Sequence, residues 1–148
     1  MSRSGYSDDC ENLELYRRTV EKALFGKRGQ AFLREMLAAL DAMPEKRLVA
    51  YAFEDEGNVC ALGAVGRARG IDLPKGDMSD DEINLSALGR QFGIARCMAA
   101  EIMFENDEAG AYGRCDETSE QRFDRMRRWI VQQLPAPTPE PVREGGKE

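Results

Sequence analysis

Apolar residues recur along the chain at spacings of three and four, the period of an amphipathic helix. Leu13, Tyr16, Val20 and Leu24 mark one face of a first helix over 10–25, which Asp8 or Asp9 can cap. Gly26-Lys27-Arg28-Gly29 interrupts the pattern as a short loop. A second set follows with Phe32, Leu33, Met36, Leu37, Leu40 and Met43, and Pro44 ends it. Two helices joined this closely read as an antiparallel pair.

Residues 45–70 carry a less decided period. Pro44 and Glu45 suit a first helical turn, and Leu48, Ala52 and Asp55, or Val49 and Phe53, repeat at helical spacing, which favours helix. The alternative is a short β-hairpin within 47–65, turning at Asp55-Glu56-Gly57-Asn58. From Cys60 a small-residue run, Ala61, Gly63, Ala64 and Gly66, lets a neighbouring backbone approach closely, and Gly70 is a C-terminal stop.

Pro74 and Gly76 mark residues 71–78 as a loop. Ser79-Asp80-Asp81-Glu82 has the form of a capping box and predicts a helix from Asp80 to Arg90. Phe92-Gly93-Ile94 turns the chain into a helix over 95–106. Asp107 to Glu117, with Gly110 and Gly113, reads as an acidic loop. A second capping box, Thr118-Ser119-Glu120-Gln121, opens a last helix with Phe123, Met126, Trp129, Ile130 and Leu134. Pro135, Pro137, Pro139 and Pro141 predict an extended tail that does not pack. The expectation is an all-α single domain of six or seven helices over 10–134, with a flexible lead at 1–9 and a disordered tail at 135–148.

The 148 residues suffice for one such core, and no run approaches the roughly 20 apolar residues of a membrane span. The N-terminus lacks the apolar stretch of a secretory signal, so the expected location is a cytoplasm. Histidine is absent, which removes the commonest general base and every imidazole metal ligand. Neither a P-loop nor a metal-ligand spacing is present, and no cofactor is expected.

Net charge is −6, and Glu101 to Glu120 accounts for all of it with seven acids against Arg114 alone. An exposed segment of that kind attracts a basic partner. Glu101, Glu105, Asp107, Glu108, Asp116 and Glu117 are therefore the expected partner-binding residues. Asn106 and Asp107 carry a rival role, folding the loop that follows their helix. Lys27, Arg28 and Gly29 put cations and backbone N–H groups at a helix start, the arrangement that holds an anion.

Two other function classes have specific residues behind them. Gly89, Phe92, Gly93, Ile94, Ala99 and Ile102 fit the spacing of a helix-turn-helix, the basis of a DNA-binding regulator. Arg96 is the only base there, and Glu101 and Glu105 would face phosphates, so nucleic acid is the less favoured partner. Cys60, with Asp107 as base, is the nucleophile of a cysteine enzyme reading. Cys10, Cys60, Cys97 and Cys115 are the ligands of an all-thiolate metal one.

The stretches Gly26 to Pro44, Val59 to Gly70, Ile102 to Asp107 and Thr118 to Phe123 together resemble a group of small bacteriophage and prophage proteins, over roughly residues 4 to 133. A more distant likeness, carried by Cys60 to Ala64 and by Asn106-Asp107, is to small bacterial domains of unknown function. The resemblance implies a genomic context and no catalytic residues. With the charge pattern it gives the expected function: a non-catalytic phage accessory protein in the host cytoplasm, binding a host or phage protein with a basic surface. Inhibition of a host defence nuclease, in the manner of an anti-CRISPR, is the form this would take.

Overall fold

The computed structural model describes residues 13–78, 82–108 and 117–135. Expectations about the lead at 1–9, Cys10, Ser79 to Asp81, Gly110, Gly113, Cys115, Asp116 and the prolines beyond 135 lie outside the described residues. Within them six helices and one two-stranded hairpin build an all-α fold. Helix α1 (Leu13–Phe25) turns Val20 and Leu24 inward. Helix α2 (Lys27–Ala42) buries Phe32, Leu33, Met36 and Leu40, the face that the three-and-four spacing picks out.

The break between α1 and α2 is tighter than expected. Only Gly26 leaves the helical path, and Lys27 to Gly29 form the first turn of α2 instead of a loop. The two helices meet there so closely that a Cβ on Gly29 would fall on the carbonyl oxygen of Ala23. Gln30, one position on, is buried and donates to the carbonyls of Leu24 and Gln133, tying the ends of α1 and the last helix to α2.

Residues 45–55 are not the favoured helix. The chain runs irregularly to Phe53 and forms the hairpin β1 (Glu54–Asp55) and β2 (Asn58–Val59), paired Glu54 with Val59 and Asp55 with Asn58. Glu56 and Gly57 both have positive φ, as a tight hairpin turn requires. Tertiary partners explain the outcome. The Leu48 N–H donates to the Ser119 carbonyl, the Val49 N–H to the Val59 carbonyl, and the Arg122 guanidinium to the Leu48 carbonyl. These backbone groups are satisfied without an i to i−4 ladder, so helical spacing alone does not decide the segment.

Helix α3 (Ala61–Arg69) starts at Cys60, whose Sγ accepts from the Gly63 N–H at 3.3 Å, and stops at Gly70 in the left-handed region. Helix α4 (Leu85–Phe92) begins five residues later than expected. Asn84 caps it by accepting from the Ala87 N–H at 3.0 Å. Gly93 then turns the chain into α5 (Arg96–Asp107), and Thr118 and Gln121 close a reciprocal capping box at the start of α6 (Ser119–Gln133). Helix α5 is the axis of the fold, packed by α1, α3, α4 and α6. Met98, Ile102 and Met103 are essentially inaccessible on it, and each contributes about 1.5–3 kcal/mol by burial. Among the described residues no helix is long and apolar enough to cross a membrane.

Candidate functional site

Among the described acids of the 101–120 segment, Glu101 and Asp107 are buried, Glu105, Glu108 and Glu117 are half-buried, and only Glu120 is exposed, so this part of the segment is not an open anionic surface. Glu101 is 2% exposed and receives both guanidinium nitrogens of Arg17, at 2.8 and 3.2 Å. Asp107 and Asn106 are buried in the last turn of α5. Asn106 Oδ1 accepts from the Ala61 N–H at 3.1 Å, while its Nδ2 donates to the Val49 carbonyl and to Asp107 Oδ1. Asp107 Oδ1 also accepts from the Tyr51 N–H. The pair therefore folds the 47–61 segment that precedes it in sequence.

Glu117 is equally committed, paired with Arg125 at 2.6 and 3.0 Å and lying 3.4 Å from Arg122. Arg125 in turn donates to the carbonyls of Glu105 and Asn106, a cation placed on the C-terminal end of α5. Glu108 is half-buried. Glu105 is half-buried too, and burial pushes its carboxyl up to about 7, with the Glu101 charge one turn back adding to the shift and Arg125 and Arg17 opposing it.

The helix-turn-helix spacing corresponds to a real corner: a Cβ on Gly89 would press on the Ile94 carbonyl and the Arg96 N–H, so only glycine lets α4 cross α5 there. It does not make a reading head. Cys97 through Met103 are all buried, so α5 is enclosed by the core and has no face to lay in a groove. The cysteine reading fares no better, because Cys60 is wholly buried with its sulfur on a backbone N–H, and burial raises the Cys97 thiol. Among the described residues no group of three or more metal-ligating side chains converges.

Among the described residues, exposed cations gather on one face of the fold. Lys27 and Arg28 stand on the first turn of α2, and Gly26, the N-cap, supplies no side-chain bond. Ala95 likewise leaves the start of α5 without a side-chain cap, and Arg96 follows it. Both first turns lack an acidic residue. Two adjoining depressions join these ends. One, of about 240 Å³, is lined by Lys22, Lys27 and Arg28 with Ile94 and Ala95. The other, of about 640 Å³ and more open, is lined by Arg28, Ser86, Arg90 and Arg96.

Arg28 and Ile94 belong to both depressions, so the five cations share one face. No acid is among the described residues that line it, and none of the five cations forms an ion pair with a described residue. Elsewhere Arg69 is occupied by Glu35 and Arg127 by Asp41, while Arg18, Arg34 and Arg128 are exposed singly, away from either depression. All three expected anion-binding residues, Lys27, Arg28 and Gly29, line the smaller depression, and Gly29 also serves the crossing of α1 and α2. Lys22, Arg90 and Arg96 were not assigned to a site from sequence. The signal for the last two was the predicted corner itself, which brings the end of α4 and the start of α5 together.

A third cleft, about 220 Å³, lies between the end of α2, the hairpin and α3. Its polar rim is already engaged, with Arg47 on Asn58 and Glu45, and Arg67 on the Gly57 carbonyl. Compared with family models, curated proteins and solved structures, the chain matches none.

Proposed function

We propose that this chain is a non-catalytic binding protein whose docking face is the basic surface formed by the end of α1, the starts of α2 and α5 and the end of α4, and whose partner is anionic. One observation carries the reading: five exposed cations, Lys22, Lys27, Arg28, Arg90 and Arg96, crowd two adjoining depressions with no counter-charge among the described residues that line them. Folding pairs most of the other described arginines with carboxylates or carbonyls, and Arg18, Arg34 and Arg128 stand away from the two depressions, so this face is where unneutralised cations are concentrated. The net charge of −6 does not cancel it. Exposed charges farther away than about 8 Å are largely screened at physiological salt, and the local field dominates at contact.

The expected protein partner with a basic surface loses its main support, since Glu101, Asp107 and Glu117 spend their charge inside the fold. Retention of the full chain on a heparin resin tests the reading. The wild type binds at low salt and elutes as salt rises, and an Arg28→Glu, Arg96→Glu variant with an unchanged melting curve passes through. Passage of the wild type at low salt would overturn the proposal.

A further inference from the structure

Resting on that reading, we infer that the anion taken by this face is the phosphodiester backbone of a nucleic acid, held without reading base edges. Side-chain chemistry distinguishes this from an acidic protein surface. Protein interfaces draw most of their affinity from apolar or aromatic anchors in a central pocket. Inside the depressions Ile94 and Met98 are buried and the part-exposed Ala23 and Ala95 are small, so no large apolar anchor site is offered to a protein partner. The side chains that reach out are donors: two lysines, three arginines and the Ser86 hydroxyl. Phosphate oxygens are acceptors only, and arginine forks and free N–H groups at helix starts are the groups that hold them best.

The face is also extended, running from Lys22 and Lys27 through the shared Arg28 to Arg90 and Arg96, as a polymer with charge repeated along its length requires. At its edge Phe25 is 53% exposed, three residues after Lys22 on α1 and next to Gly26. An exposed aromatic beside cations is a stacking platform for an unpaired base. Base-edge readout has little support here, because Cys97 to Met103 of α5 are buried and cannot lie in a groove and the depressions hold no amide side chain to read adenine, which leaves the three arginines to contact phosphates.

Fluorescence anisotropy of the full chain tests the inference with three labelled probes: a mixed-sequence single strand of roughly 16 nucleotides, a duplex of the same length, and poly-glutamate. Binding of either oligonucleotide, weaker poly-glutamate binding and indifference to a second base sequence are expected. The slope of log affinity against log salt should approach about −3.5 for the single strand or about −4.5 for the duplex, if all five cations engage. The Arg28→Glu, Arg96→Glu variant should lose at least tenfold, the milder Arg28→Gln, Arg96→Gln pair should lose less, and Phe25→Ser should weaken the single strand alone. Poly-glutamate bound as tightly as the oligonucleotides would overturn the phosphodiester inference and leave the anion-docking reading standing. Failure of all three probes to bind folded protein would overturn both. Full oligonucleotide affinity in a folded charge-reversed variant, or strong sequence preference, would overturn the assignment to this face.

Discussion

Asp107 Oδ1 accepts the backbone N–H of Tyr51 at 3.1 Å, and Tyr51 holds a φ of 65°, a left-handed conformation that costs a side-chain-bearing residue about 1 kcal/mol. The carboxylate at the end of α5 thus pins the bend that redirects the chain into the hairpin. Asn106 fixes the other side of the same segment through Ala61 and Val49. Asn106→Ala, which strands a buried N–H and carbonyl, should lower stability by about 2–4 kcal/mol, and Asp107→Ala should do the same. Thermal denaturation would show a fall of about 5–12 °C. An unchanged melting temperature in both would mean that the pair does not hold the 47–61 segment.

Reversing the acidic segment should therefore damage the fold before it damages any interface. In the triple variant Glu105→Lys, Asp107→Lys, Glu108→Lys, the ammonium at 107 replaces a buried acceptor, and melting should fall by at least about 6 °C. Retention on an anionic resin, measured well below that melting point, should be undiminished. Unchanged stability together with weakened capture of a partner would restore the acidic surface as the binding site.

Glu105 gives the protein a pH dependence of unusual sign. Its carboxyl titrates at about 7 in the fold against an ordinary 4.5, because burial and Glu101 disfavour the charge. The folded state holds the proton over a range in which the unfolded chain has released it. The contribution is fully present below about 4.5 and is lost as pH rises through 7. Discounted for partial exposure, the swing is on the order of 1–2 kcal/mol. Melting should rise from pH 8 to pH 5, and Glu105→Gln should remove the rise while stabilising the protein at pH 8. Glu35 and Asp41, whose carboxyls Arg69 and Arg127 hold low, act oppositely, but only once pH falls below the ordinary carboxylate range. A flat profile between pH 5 and 8 in the wild type would contradict this account.

The crossing of α1 and α2 makes a sharp steric prediction. Gly29→Ala places a methyl group against the Ala23 and Leu24 carbonyls, which are backbone and cannot swing away. The helices must separate, at a cost of about 1–3 kcal/mol despite alanine's better helix propensity. Gly57→Ala, at an open hairpin position with positive φ, should cost only about 1 kcal/mol. Chemical denaturation of the two variants compares them directly. Gly29→Ala as stable as the wild type would refute the close approach.

The helices were legible because their signals are local: Thr118 with Gln121, Gly70, Gly93 and the spacing of Phe32, Leu33, Met36 and Leu40 specify their own surroundings. Leu48 and Val49 mislead because their backbone partners, Ser119, Arg122 and Val59, come from other parts of the fold. The acidic segment misleads for the opposite reason. Sequence counts charges but does not show that Arg17, eighty-four positions from Glu101, arrives to neutralise it. On the basic face, Lys27 and Arg28 were visible because they share one turn. Arg90 and Arg96 join them only through the packing of α5 on α1 and α4, which brings the end of α4 and the start of α5 beside Arg28, and no spacing reports that.

The central claim, that the starts of α2 and α5 form one anion-binding face, is tested most directly by backbone amide NMR during titration with a short mixed-sequence oligonucleotide. The account predicts shifts concentrated at Lys27, Arg28, Ile94 and Arg96, saturating together at one affinity and reversed by added salt. Shifts confined to Glu105, Glu108 and Glu117, or no shifts at any amide, would contradict it.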